Sequence, residues 1–536
     1  MNKIGFQNFR RFQNFAPLEY KGITFLVGRN NAGKSTLVKA LLLIDNYFKS
    51  GTIETLSFGN NVLEDANIVT YGRAKNRKAE ENFIYFTQNI ENYTIELVVS
   101  GEDDKSFANV QSLKITDSLN KLSFTFNLQS RFLTVIKERD TKVNNLSEKL
   151  LLDLKTQLDE TKNQLQNPDL KKTSKEYIEL VSNLDNIQTK IESIQEEKNA
   201  GAAQNDILFT LDDDFGNVQS LSEVVNTFLL HSMSQYDREF IGIQNGETAS
   251  EKFEDFRALK EYDPIFVESS FSHFITLMSD FSVAYMGANP AKQSALFAIR
   301  DKNNALAQAI HEYKQLNILE GEEEHRFVIK WMQAFEVGSN FTISMHAGEA
   351  YEMKIFSSET EIYLADKGMG SIQAMLLIMR IACIIRKIKV AENRSTNTRI
   401  VEGKVTKQDS FTYRLIDKTT VIIEEPELNL HPALQSKLAD LFLDVHQKFK
   451  IDFLIETHSE YVLRRSQVIV AFNEFEVAPN ENPFCVYYFP KEIEVQPYKL
   501  EYNEDGSFNR NFGDGFFDEA SSSTLELLKL KRQKKD

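Results

Sequence analysis

The sequence predicts an α/β fold: a P-loop sheet joined to an antiparallel β part, with a helical hairpin inserted. Three observations predict it. A β-prone run opens into a glycine-rich loop and a helix over residues 23–43. A second apolar strand ends in paired carboxylates near residue 424. Roughly 390 residues separate Lys34 from Glu424, far more than one compact lobe needs, and part of that gap carries a heptad pattern.

The first element is the most specific. Ile23-Thr24-Phe25-Leu26-Val27 leads into Gly28-Arg29-Asn30-Asn31-Ala32-Gly33-Lys34-Ser35-Thr36 and then Leu37 to Leu43. This is G-x-x-x-x-G-K-[ST] with the strand before it and the helix after it that the chemistry requires. Glycines let backbone N–H groups turn inward on phosphates, and the helix N-terminus adds partial positive charge. Lys34 is expected to reach the β- and γ-phosphates of ATP, and the Ser35 hydroxyl to ligate Mg²⁺.

The second element reads Val421-Ile422-Ile423-Glu424-Glu425-Pro426-Glu427. Carboxylates at the C-terminal end of such a strand lie where a P-loop fold holds Mg²⁺ and aligns water. Glu424 is assigned to the metal, usually through water, and Glu425 to polarising the nucleophilic water. The next strand, Ile451 to Ile455, runs into Glu456-Thr457-His458-Ser459, where His458 suits a sensor of the γ-phosphate or the attacking water. Between these lies Lys367-Gly368-Met369-Gly370-Ser371 ahead of an apolar helix from Ala374 to Ile388. Gly368, Gly370 and Ser371 at a helix start form a candidate anion nest, with a plain helix cap as the alternative.

In the inserted region, Leu151, Leu154, Leu158, Thr161 and Leu165 alternate at spacings of three and four, as do Tyr177, Leu180, Leu184, Ile187, Ile191 and Ile194. Asn167-Pro168-Asp169 between them is a turn signal. An antiparallel coiled-coil hairpin follows, with arms on the order of 35 Å; the alternative is two ordinary helices packed on the head. Residues 82–128 alternate like a β-meander. Residues 201–280 read as helices and loops, with Leu211-Asp212-Asp213-Asp214 as a solvated turn. Asn503-Glu504-Asp505-Gly506 is a hairpin-turn signal. The expected division is 1–140 (N-terminal lobe), 141–200 (hairpin), 201–280 (helical insertion), 281–470 (C-terminal lobe) and 471–536 (β/tail segment).

A net charge of −16 excludes a broad basic face for nucleic acid. Two local patches, Arg73 to Lys78 and Lys529 to Lys535, read as a solvated face and a frayed terminus, with nucleic-acid contact as the alternative. The forty Phe residues are spread along the chain and read as core material. Cys383 and Cys485 are the only cysteines, so neither a disulfide framework nor a CxxC clip exists, and a reducing compartment is expected. The N-terminus lacks a signal peptide's apolar stretch, and the apolar run Ala374 to Ile385 is broken by Arg380 and short for a bilayer. The expectation is a cytoplasmic chain without membrane partners.

Together these motifs resemble the ABC-ATPase heads of the SMC, RecF and OLD families. Ile4 to Phe12 looks like their first strand, and Glu424-Glu425-Pro426-Glu427 with Leu430-His431-Pro432 is typical of the OLD-like branch. ATPases of bacterial anti-phage systems, of the PtuA, AriA and GajA types, look similar, over residues 1–140 and 280–470. The resemblance implies an ATP-hydrolysing homodimer or higher homo-oligomer, each ATP lying between the cradle of one subunit and the Gly368–Ser371 nest of the other. That nest departs from the Leu-Ser-Gly-Gly form, and Gln88 is the only candidate found for the glutamine that completes the Mg²⁺ shell. Phe512 to Glu519 resembles a tail common in OLD-like ATPases, too short for the Toprim nuclease some relatives carry, and no other nuclease motif is found. The expected role is a defence sensor or scaffold gating a separate effector, a nuclease or toxin. A DNA-repair or maintenance ATPase of RecF or SMC type is the alternative, and the large insertion disfavours a transporter subunit.

Overall fold

The computed structural model describes residues 2–59, 68–138, 207–214, 264–280, 283–288, 296–357, 360–395, 419–472, 482–492 and 495–510, with scattered single positions between them. The coiled-coil hairpin expected at 141–200, most of the 201–280 insertion and the basic tail lie outside the described residues. In chain order the elements are β1 (Asn2–Phe9), β2 (Phe12–Tyr20), β3 (Ile23–Gly28), α1 (Lys34–Ser50), β4 (Thr55–Ser57), α2 (Tyr71–Ala74), β5 (Ile84–Ile90), β6 (Tyr93–Ser100), β7 (Phe107–Asp117), β8 (Leu122–Asn127) and β9 (Phe132–Glu138). Then come β10 (Ile207–Asp214), α3 (Pro264–Asp280), β11 (Val283–Met286), β12 (Phe297–Ala298), α4 (Ala305–Gln315), α5 (Glu323–Ala334), β13 (Asn340–His346), β14 (Ala350–Ser357) and β15 (Thr360–Tyr363). The remainder are α6 (Met369–Ser395), β16 (Thr420–Glu424), α7 (Pro432–Phe449), β17 (Asp452–Glu456), α8 (Glu460–Ala471), β18 (Phe484–Phe489) and β19 (Tyr498–Leu500). Two compact units emerge: Met1–Glu91, Val98–Val110 and Phe274–Asp536 form the first, Asn92–Leu97 and Gln111–His273 the second.

The first unit is built on a sheet ordered β11-β16-β17-β3-β18-β19, parallel except for β19. Its central strands are apolar runs without alternation: every residue of β3 and β18 is buried. That pattern belongs to strands covered on both faces. The helices supply the cover. α6 buries Met375, Ile378, Met379 and Ala382, and α7 buries Leu438, Leu441, Phe442 and Val445, in one continuous core with Val421, Ile423, Phe453 and Ile455. α6 reaches beyond the apolar run seen in the sequence, and Met369–Val390 is long and apolar enough to cross a membrane; two thirds of its most apolar window (67%) is buried inside the protein's own core. Capping fixes the helix starts: Asn304 accepts from the N–H groups of Leu306 and Ala307 at α4, and Ser459 from Val462 at α8.

In the same unit, β1 pairs antiparallel with β2 and β5. The expected single strand Ile4 to Phe12 is instead a hairpin that reverses at Arg10–Arg11. Asn8 (φ 56) and Arg10 (φ 51) adopt left-handed backbone there without a glycine, so no turn signal marks the reversal. Phe6 stacks on Phe15 at 4.4 Å, Phe9 and Phe12 pack edge-on against Phe6, and Phe86 completes the cluster against Phe9. These rings pack the hairpin onto β5.

In the second unit β8 pairs with the latter half of β7 and with β9, and β9 with β10. Leu211–Asp214 is therefore strand, opposite Phe132–Val135, and not a turn. The partner strand lies some eighty residues upstream, beyond the reach of local pattern. Phe124 meets Phe271 of α3 at 5.2 Å, and the Ser270 hydroxyl donates to Asp117 at 2.6 Å. Asn503–Ser507 forms the expected tight turn, closed by Ser507 O and the Asn503 N–H at 2.7 Å.

Candidate functional site

Three parallel strands end side by side. Glu424 of β16 is the cross-strand partner of Glu456 on β17, and Glu456 of Leu26 on β3. Beyond β3 the chain turns through the glycine-rich loop. Gly28 (φ 140) leaves no room for a Cβ, which would lie 2.3 Å from the Phe489 carbonyl oxygen. Gly33 (φ 103) is equally constrained, with the Phe12 ring 2.5 Å from its virtual Cβ. Gly33 also serves as the N-cap of α1 and brings no side chain to cap it, so the helix start stays open to an anion.

Lys34 is 2% exposed; its ammonium donates to the carbonyls of Gly28 at 3.0 Å and Arg29 at 3.1 Å and lies 3.5 Å from Glu456 Oε1. The Ser35 hydroxyl donates to Glu456 Oε2 at 2.8 Å. Burial pulls the Lys34 pKa down, and the Glu456 carboxylate opposes that shift. Burial pushes the Glu456 carboxyl up, with Lys34 and the Ser35 hydrogen bond pulling the other way.

At the acidic edge, Glu425 has left-handed backbone (φ 48) fixed by its N–H, which donates to the Glu456 carbonyl at 2.8 Å. Glu427 is buried, its pKa raised by that burial, and its Oε1 accepts the backbone N–H of His458 at 2.6 Å. His458 is half-buried; desolvation, then the Lys34 charge, push its pKa down to about 4, which leaves a neutral imidazole. Burial and then the charge of Glu456 raise Glu424 to about 7, and its Oε1 is buried without a hydrogen-bond partner.

A cleft of about 1160 Å³ opens over the loop, lined by Asn31 to Thr36, Lys39 and Glu456, and walled by Arg10, Arg11, Arg73, Lys75, Arg77 and Lys78. The sequence marks Arg73 to Lys78 as a basic patch but gives no sign that it is a neighbour of the glycine-rich loop. Backbone bonds make it one, since the Arg10 N–H donates to the Ala74 carbonyl at 2.6 Å and the Asn76 N–H to the Asn8 carbonyl at 2.8 Å. Arg11 stacks over Phe12 at 5.3 Å and donates to the Asn31 and Lys491 carbonyls. Arg10 Nη1 is buried without a hydrogen-bond partner, and its pKa is lowered by burial and then by Arg73. Lys39 is lowered to about 8 by burial, with Arg10 adding to the effect. Lys75 of the wall pairs with Asp103 at 3.3 Å.

The remaining expectations fare differently. Ser35 hydrogen-bonds to Glu456 and not to Glu424, so the expected metal pair is separated by the residue on the intervening strand. Glu424, Glu425 and His458 stand at that strand edge and do not line the cleft. Gly368, Gly370 and Ser371 do not line it either; a Cβ on Gly370 would lie 2.8 Å from the Asn429 carbonyl, placing the nest beside the end of the acidic loop. Gln88 is 1% exposed, with its amide directed to the Tyr20 hydroxyl at 3.4 Å, and is thus part of the β1–β5 sheet instead of the phosphate site. In the sequence Glu456 reads only as the end of a strand, although it has the same strand-end placement as Glu424. A hard divalent cation takes oxygen ligands. Ser35 Oγ and the Glu456 carboxylate, which meet at the floor of the cleft, are oxygen donors of the kind that would suit Mg²⁺.

A glycine-rich loop between a parallel strand and a helix, a buried lysine, and carboxylates at the adjacent strand ends define a P-loop nucleotide hydrolase. The chain belongs to the AAA ATPase domain family, whose model matches residues 1–463, and it is an ATPase. No curated protein matches it. Similar solved structures include the Smc head domain with an extended coiled coil bound to the C-terminal domain of ScpA from Pyrococcus furiosus, at 9% identity and TM-score 0.33, covering 99% of this chain and 100% of that one. Another is the SMC head domain from Thermotoga maritima, at 7% identity and TM-score 0.31, covering 93% of this chain and 98% of that one.

Proposed function

We propose that the chain is an Mg²⁺-dependent ATPase of ABC type that works as a homodimer and gates a separate effector. The carrying observation is the convergence of Lys34 and Ser35 with the strand-end carboxylates and His458 at one sheet edge. Lys34 binds the β- and γ-phosphates together with the loop N–H groups of residues 28–36. Ser35 would hold the cation, with Glu456 and then Glu424 as the carboxylates of the adjoining strand ends. Bound Mg²⁺ supplies neutralisation of the phosphate charge. Glu425, fixed by its backbone bond to Glu456, orients and polarises the attacking water, and neutral His458 hydrogen-bonds the water or the γ-phosphate. Arg10 and Lys39 add positive charge beside the phosphates.

The Gly368–Ser371 nest, away from its own cleft, serves the ATP of the second subunit. The heptad spacing within residues 151–194 of the sequence supports a partner-binding role for that stretch. The net charge of −16 favours a protein effector, a nuclease or toxin of an anti-phage system of the PtuA, AriA or GajA kind, over nucleic acid. A second reading, a RecF- or SMC-like DNA ATPase, is favoured by the basic wall from Arg73 to Lys78.

Glu425→Gln is the test of the site. It retains ATP, loses turnover, and accumulates a dimer seen by light scattering with ATP present. Hydrolysis at the wild-type rate overturns the assignment. Salt-resistant capture of a stoichiometric protein supports the effector reading, whereas ATP-dependent duplex binding with a steep salt slope supports the DNA reading.

A further inference from the structure

One carboxylate, Glu456, engages both loop groups on which the proposed ATP site depends. Its Oε2 accepts a hydrogen bond from the Ser35 hydroxyl at 2.8 Å and its Oε1 lies 3.5 Å from the Lys34 ammonium. It is 7% exposed, yet it is the carboxylate of the strand edge that lines the cleft; the other lining acid, Glu492, stands in the 482–492 segment. Its backbone is pinned from both sides, by pairing with Glu424 and Leu26 and by the Glu425 N–H on its carbonyl. The side chain can therefore change partner, but the residue cannot withdraw from the floor of the cradle.

A triphosphate entering this cradle meets a negative group where it needs positive ones. Lys34 must leave Glu456 to meet the phosphates, and the freed carboxylate then faces phosphate oxygens within a low-dielectric pocket, where like charges repel strongly. A divalent cation held by Ser35 Oγ and Glu456 would reverse the sign of that contact, because both oxygens are hard donors of the kind Mg²⁺ takes.

We propose that Glu456 is the specificity-determining residue that makes the cradle accept a nucleoside triphosphate as its divalent-cation complex and reject the free anion. In the empty cradle Glu456 neutralises Lys34 and occupies Ser35. In the loaded cradle it turns to the cation. This rests on the reading of the cleft as the ATP site.

The test is binding, not turnover: titration calorimetry of ATP against the full chain in excess Mg²⁺ and again in EDTA. Wild type prefers the Mg²⁺ condition by about tenfold or more, that is about 1.4 kcal/mol. Glu456→Gln keeps the hydrogen-bonding shape, binds ATP in EDTA about tenfold more tightly than wild type, and loses most of the preference. Glu456→Asp, which restores the charge, restores the preference; a residue that merely supported the fold would shift both affinities together. Equal wild-type affinity in the two conditions overturns the proposal without reference to any variant, and so does an unchanged ratio in a folded Glu456→Gln protein. Either result leaves the ATP site standing. Absence of ATP binding in both conditions overturns the ATP-site reading and this proposal with it.

Discussion

The backbone N–H of His458 donates to Glu427 Oε1 at 2.6 Å, tying the turn after β17 to the turn after β16. The bond joins the segment that carries the proposed sensor to the segment that carries the proposed water-polarising carboxylate, and it is partly buried. Hydrogen bonds to charged groups contribute about 1.5–3 kcal/mol. Glu427→Ala should therefore lower the thermal midpoint and cut turnover by about tenfold or more, with ATP binding largely retained. Glu427→Gln, which keeps the acceptor, should be milder in both. Phosphate-release kinetics beside ATP titration separate the two effects.

Gly33→Ala should destabilise the protein even without ligand. The added methyl would meet the Phe12 ring at 2.5 Å, and the backbone at φ 103 disfavours any L side chain. Together these should cost about 1–3 kcal/mol, read from denaturant unfolding. Adding Phe12→Leu should recover the part due to the clash and leave the part due to the backbone.

Arg10 and Lys34 should differ in how salt modulates their loss. Lys34→Ala removes a buried charge-assisted contact and should weaken ATP about a hundredfold at any ionic strength. Arg10→Ala removes a cation of the cleft wall, should weaken ATP about tenfold, and should flatten the salt dependence of binding. Affinities measured at low and high salt check both.

The cysteines should be silent in the native state. Cys383 and Cys485 are 1% and 3% exposed, and burial pushes their thiols up to about 12 and about 11. Neither should react with a thiol reagent at mildly alkaline pH until the protein unfolds, when both should react. Because the folded pKa values lie above the ordinary value of 9.0, the unfolded chain loses these protons first. Stability is thus fully present below that value and falls as pH rises through about 9 to 11. Buried Tyr20 and Tyr47, also raised by burial, act in the same direction.

The nucleotide loop was legible because its determinants are contiguous. The turns at Gly28 and Gly33, the strand before them and the helix after them all fall within residues 23–50. The Glu424–Glu425 strand end was legible for the same reason, since an apolar run followed by acids announces a buried strand with a functional edge. The β1–β2 reversal was not legible, because Asn8 and Arg10 take positive φ without glycine, held by bonds to residues 74–76. Nor was β10, whose acidic triplet Asp212–Asp214 reads as a loop until β9 pairs with it.

By itself the sequence determined the strand, glycine-rich loop and helix at residues 23–50 and the carboxylates at a strand end, since local backbone preferences and short-range hydrogen bonds suffice for both. Only the tertiary structure decided what those groups face. The register of β16, β17 and β3 sets Glu456 between Glu424 and the loop, and brings it to Ser35 across 421 residues of chain. The packing of Phe12 on Gly33 likewise carries Arg10 and Arg11 to the cleft. Strand order and ring packing are long-range choices, made by burying apolar surface against whichever distant segment fits, and no local pattern encodes them.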